Sequence, residues 1–133
     1  MRALASGARV ARLGTLNAAG AVDLVPVTFA LAGDELVTAV DHKPKRSTRL
    51  TRLDNVRRDS RVTVLVDHYD DEWSTLWWVR MRGSGRVVRP GDVEHGDAVA
   101  PLVEKYPQYR DQPPAGAAIL VSVQEWRGWS ALG

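Results

Sequence analysis

The sequence predicts a mainly β fold, a small antiparallel barrel of about six strands with peripheral helices. Three observations predict it. Segments rich in Val, Thr and Phe recur at the short spacing of hairpins, with turn residues between them. One helical stretch interrupts them after the third strand. A long strand near the middle carries Gly83 and Gly85, which permit the bulge or bend a sheet needs to close on itself.

In chain order, Leu4 to Val10 reads as a short helix leading into a strand from Arg12 to Leu16. A turn at Asn17-Ala18-Ala19-Gly20 precedes one continuous strand from Val22 to Leu31, where Pro26 requires a bulge or a sheet edge. Ala32-Gly33-Asp34 turns the chain into Glu35 to Asp41. A basic helix follows, and Asp59-Ser60 stops it. Arg61 to Asp67 alternates as a half-buried strand does. Beyond the loop His68 to Trp73, the long strand runs from about Leu76 to Arg89. Asp92 is placed to cap a helix reaching Tyr106, with Val99, Leu102, Val103 and Tyr106 on one face. Pro107 to Gly116 reads as a proline-rich loop, Ala117 to Trp126 as the last strand, and Arg127-Gly128-Trp129 as its extension.

The chain has 133 residues, enough for one domain, residues 1–133, with a core that needs no staples. It has no cysteine, which excludes a disulfide scaffold, thiolate catalysis, iron–sulfur clusters and cysteine zinc sites. No apolar run approaches the ~20 residues of a membrane span, so a soluble, cytoplasmic protein is expected. The formal charge is only +2, but a large share of the Lys and Arg falls between residues 43 and 61. That local patch lacks the spread or the motif of a nucleic-acid-binding surface.

The patch is Asp41-His42-Lys43-Pro44-Lys45-Arg46-Ser47, followed by the helix. Ser47 is a natural N-cap, and Arg46, Arg49 and Arg52 then share one side while Leu50, Leu53 and Val56 share the next. Cations at the positive end of a helix repel its dipole unless an anion joins them. Helix dipole, backbone N–H groups and guanidinium forks together suit a phosphate, with a solvated basic helix as the other reading of the charge alone.

Five tryptophans all lie in the second half. Trp77 and Trp78 are adjacent on a strand and so point to opposite faces, one to the core and one to a cleft or partner. Asp67, His68, Asp70, Asp71 and Glu72 could suggest a metal cluster, but their spacing matches neither an EF-hand loop nor a helical zinc motif and favours a solvated loop. The chain carries no nucleophile elbow, Walker loop or dinucleotide fingerprint, and no spacing identifies an acid–base pair. A cofactor carrying its own chemistry would account for this.

The segments Val25-Pro26-Val27-Thr28-Phe29, Val37-Thr38-Ala39-Val40-Asp41-His42-Lys43-Pro44-Lys45-Arg46, Arg58-Asp59-Ser60-Arg61-Val62 and Leu76-Trp77-Trp78-Val79-Arg80-Met81-Arg82-Gly83 occur in an order that resembles the pyridoxamine 5'-phosphate oxidase-like split barrels. Lys105-Tyr106-Pro107-Gln108-Tyr109 and Trp126-Arg127-Gly128-Trp129 extend the likeness over nearly the whole chain. Within that superfamily it resembles the actinobacterial group of probable enzymes dependent on coenzyme F420, a deazaflavin. The resemblance implies a six-stranded antiparallel split β-barrel, a homodimer with the cofactor in a groove at the subunit interface, and an oxidoreductase passing hydride to a small electrophilic substrate. It implies that Lys43, Pro44, Lys45, Arg46 and Arg52 meet the cofactor phosphate or tail. Thr38, Ala39 and Val40 would run under the ring, with Pro26, Val27 and Thr28 on the adjoining strand and Trp78 in the ring-contacting region. No catalytic side chain is implied, although Tyr106 and Tyr109 are possible proton donors. FMN is the alternative cofactor, and a non-catalytic deazaflavin carrier or sensor the alternative role.

Overall fold

The computed structural model describes the chain except residues 41–45, and for residues 46–50 it describes the backbone alone. Its elements are α1 (Arg2–Gly7), β1 (Ala11–Leu16), β2 (Val22–Val27), β3 (Ala30–Ala32), β4 (Glu35–Ala39), α2 (Arg46–Arg58), β5 (Arg61–His68), β6 (Trp77–Val88), α3 (His95–Lys105), α4 (Pro107–Asp111) and β7 (Ala118–Ser130). The strands form one antiparallel sheet in the order β2-β1-β5-β6-β7-β4-β3.

The two ends of that order are joined in sequence by Thr28 and Phe29 alone. Three virtual bonds from Val27 to Ala30 reach at most ~11 Å, so opposite edges of the sheet must approach each other. The sheet therefore curls around its core. Leu13, Phe29, Leu36, Val64, Val66, Val79 and Met81 fill the interior and are all almost fully buried.

The seventh strand corrects the expectation of six. The predicted strand Val22 to Leu31 is broken because Phe29 pairs with a side chain instead of a neighbouring strand. Its N–H donates to the Tyr106 hydroxyl at 3.2 Å, and that hydroxyl lies 3.0 Å from the Phe29 carbonyl and 2.8 Å from the Arg9 carbonyl. A hydroxyl has one proton, so the two carbonyls share it. Pro26 sits on β2, an edge strand as its missing N–H requires.

The long strand bends where the glycines predict. The β6–β7 register shifts between Arg82 and Gly83, and a Cβ on Gly83 would stand 2.0 Å from the Ser122 carbonyl oxygen. Only glycine permits that approach. At the β1–β2 turn, the Asn17 side chain accepts from the N–H groups of Ala19 and Ala21, both at 3.0 Å, and Gly20 takes φ 81°.

Other boundaries differ from expectation. The first helix ends at Gly7, since Ala11 already pairs with Val27. Asp92 does not cap α3; its carboxylate accepts from Arg89 N–H at 2.8 Å in a turn, and the helix starts at His95. The proline-rich loop contains α4, with Pro107 in its first turn where a missing N–H costs nothing. The last strand extends through Arg127-Gly128-Trp129 to Ser130, paired throughout with β6. Among the described residues no helix is long and apolar enough to cross a membrane.

Because Tyr106 satisfies three backbone groups at the meeting edges, its hydroxyl is the most exposed point of failure in the fold. Replacing Tyr106 by Phe keeps the ring but orphans buried polar groups at ~1–3 kcal/mol each. We expect urea unfolding to show a loss of about 3 kcal/mol, with far-UV circular dichroism retained below the transition.

Candidate functional site

Two of the predicted site segments lie at the closure. Val27 is buried, Thr28 bonds through its hydroxyl to the Tyr109 hydroxyl at 2.8 Å, and Pro26 is exposed. Thr38 and Ala39 end β4, paired with Ile119 and Ala118 of β7, and Val40 donates its N–H to the Ala117 carbonyl at 2.9 Å. Thr38 is 1% exposed and its Oγ1 has no hydrogen-bond partner. Buried hydroxyls are nearly always satisfied, so this one has unspent hydrogen-bonding capacity at the strand that leads into the basic stretch.

Lys43, Pro44 and Lys45 lie outside the described residues, as does the side chain of Arg46. The helix they precede is firmly placed. Leu53 and Val56 enter the core, as their spacing predicts. Buried Asn55 donates to Thr15 Oγ1 at 3.0 Å and to Asp23 Oδ2 at 2.9 Å, fixing α2 on the β1–β2 hairpin. Nothing in the sequence singled out Asn55. A lone Asn inside an apolar helix face, between Leu53 and Val56, is the signal that would have found it. Arg52 is half-buried on the same helix.

Trp78 is not brought to this end of the molecule. The neighbours of Thr38 and Ala39 on β7 pair with Val87 and Val88 of β6, ten residues from Trp78. That is ~33 Å of extended strand. Trp77 packs against the main core while Trp78 lies on the outer face, so the pair divides between faces as predicted.

The possible proton donors are committed to the fold. Tyr106 is 6% exposed and bound to backbone, and burial pushes its hydroxyl pKa up. Tyr109 is held by Thr28 and packs edge-on to Tyr106 at 5.6 Å between centroids. His95 is half-buried and bonded through Nε2 to the Gly116 carbonyl at 2.8 Å. His68 pairs with Asp70 at 2.9 Å, and Asp70 also accepts from the N–H of Glu72 at 2.8 Å. No group of three His, Asp or Glu converges on a metal position among the described residues.

A cavity of about 330 Å³ lies elsewhere, between α3 and the outer faces of β4, β6 and β7. Glu35, Glu94, Asp97 and Arg86 line it, and Arg86 is already bound to Glu94 by two bonds of 2.6 and 2.8 Å. The Arg86 guanidinium holds the Glu94 carboxyl below its usual range. Three carboxylates against one committed cation make this cavity unsuited to an anionic cofactor.

A family model described as pyridoxamine 5'-phosphate oxidase matches residues 1–130. The chain belongs to that family. No curated protein matches it in sequence. Among solved structures it is similar to the conserved hypothetical protein Rv2991 of Mycobacterium tuberculosis, with TM-score 0.75 and 20% identity over 97% of this chain and 81% of that one. It is similar to a heme binding protein of Mycobacterium smegmatis, with TM-score 0.74 and 20% identity over 99% of this chain but 53% of that one, about half its length. An FAD binding protein of the same species gives TM-score 0.60 and 17% identity over 96% and 88%. These likenesses establish the fold.

One residue beside the closure is electrostatically costly. Lys105 Nζ is buried without a hydrogen-bond acceptor, 3.9 Å from the centroid of the Phe29 ring. Burial, with a lesser contribution from the Arg9 charge, lowers its pKa from 10.5 to about 8. Between pH 8 and 10.5 the unfolded chain keeps a proton that the folded chain has lost, so stability rises with pH through that window. The penalty is complete below pH 8. Lys105→Met, which keeps the apolar stem, should therefore raise the thermal midpoint at pH 7 and flatten its rise above pH 8, as scanning calorimetry across pH will show.

Proposed function

We propose that the protein is an oxidoreductase that uses coenzyme F420 to deliver hydride to a small electrophilic acceptor. The observation that carries this reading is the division of polar groups around Thr28 and Thr38. Tyr106, Tyr109 and His95 are spent on the fold, whereas the buried Thr38 hydroxyl, on the strand leading into the basic stretch, is not. A site built so supplies binding and orientation instead of acid–base chemistry. The deazaflavin, when bound, would supply the hydride.

The chain's own residues would do the rest. Thr38 to Val40 would offer hydroxyl and backbone groups to the ring, and Pro26 to Thr28 would hold the adjoining strand in place through the Thr28–Tyr109 bond. Lys43, Lys45, Arg46 and Arg52 would meet phosphate and acidic tail at the start of α2. Trp78, far from Thr38 in one chain, would come from a second copy. The outer sheet face supports that pairing, since Val22, Leu24 and Trp129 are 59%, 68% and 46% exposed and arginines accompany them, a composition typical of interface cores. A two-fold dimer would then complete two equivalent grooves.

FMN is the second reading, favoured by the family match. Anaerobic equilibrium titration separates the two. We expect F420 to bind more tightly than FMN, and Lys45→Ala to weaken it by more than ~1 kcal/mol. Arg57→Ala, removing an exposed side chain paired with Asp54 at 3.5 Å, should leave binding unchanged. Tight FMN binding without F420 binding at tens of micromolar would overturn the assignment.

A further inference from the structure

One row across the outer face of the sheet carries three arginines, flanked on the neighbouring rows by Asp67, opposite Trp78, and by Glu125, opposite Arg82. Arg12 of β1 stands opposite Leu65 of β5, Leu65 opposite Arg80 of β6, and Arg80 directly opposite Arg127 of β7. Like charges directly opposed across a strand pair are destabilising. Among the described residues none of these three arginines makes an ion pair. The nearest acid along β7, Glu125, is committed to Arg82 at 3.4 Å. Arg80 Nε is buried and has no hydrogen-bond partner. Its guanidinium rests 5.6 Å from the centroid of the Trp78 ring, and Trp78 is directly opposite Trp129.

A guanidinium that is partly occluded, unsatisfied and held beside another across the ladder has a preformed use. It can bind a carboxylate or phosphate through two parallel bonds, and the anion cancels the repulsion between the arginines. The adjacent pair of tryptophans offers flat apolar surface for the remainder of the ligand.

We propose that Arg80 and Arg127, with Arg12 at the end of the row, form an anion subsite for the acceptor, whose class is a planar molecule bearing a carboxylate or phosphate placed beside Trp78. This rests on the reading that Trp78 of a second copy completes the cofactor groove, but its test does not require F420. The charged end of the acceptor would be fixed on β6 and β7, leaving its electrophilic ring free to face the cofactor of the other copy.

The probe is isophthalate, a planar dicarboxylate, titrated calorimetrically into cofactor-free protein, with neutral isophthalamide as control. Isophthalate should bind saturably and isophthalamide should not. Arg80→Met and Arg127→Met should each weaken isophthalate by about tenfold, the loss of one charge-assisted contact. Arg80→Lys should lose less, and Arg57→Met nothing. Lys45→Ala should leave isophthalate binding intact while weakening the cofactor, which separates this subsite from the basic stretch. Thermal midpoints of both Met variants should not fall, since each removes a like-charge contact. The proposal is overturned if wild-type protein shows no saturable binding, if the two Met variants bind as wild type does, or if Lys45→Ala abolishes binding.

Discussion

The Tyr106 hydroxyl, bonded to Phe29 on both sides of its residue and to the Arg9 carbonyl, is the interaction on which the rest of the structure depends. A seven-stranded sheet whose first and last members are joined by two residues can exist only if it curls. The curl leaves Phe29 between two edges, where no strand partner is available. Backbone groups buried in that position must be satisfied by something else. One side chain from the end of α3 does so, and it thereby binds three distant parts of the chain together. Lys105, its neighbour, is carried into the same buried corner and bears the electrostatic penalty of the arrangement.

The candidate site follows from the closure. Pro26 to Thr28 end β2 as it approaches the junction, and Thr38 to Val40 leave β4 on the other side of it. α2 is set separately, by Leu53 and Val56 in the core and by Asn55 on Thr15 and Asp23. Two independent anchors therefore flank the basic stretch.

Much of this was legible in the residues themselves. Composition between turn residues located β1 and β4, period-two alternation located β5, and glycines at 83 and 85 marked the bend in β6, because these signals are local. Pro26 marked an edge for the same reason. The break at Thr28–Phe29 was not legible, since Val22 to Leu31 is a good strand by composition and the partner that interrupts it lies more than seventy residues away. The helix α4 was hidden by its prolines, one of which opens it. Within the site, resemblance pointed to Thr38, but only the structure shows its hydroxyl to be unpaired. The arginine row was invisible for a simpler reason. Arg12, Arg80 and Arg127 are far apart in sequence, and only the strand register sets them side by side.

The junction at Phe29 is a structural joint of the barrel and not a frayed edge. Hydrogen exchange at the Phe29 amide, followed by NMR against the amides of β1 and β6, tests it most directly. If Tyr106 closes the sheet, the Phe29 amide will exchange only through global unfolding, with the same protection as Leu13 and Met81. Exchange at the rate of an exposed edge strand, while Leu13 and Met81 stay protected, would contradict the account.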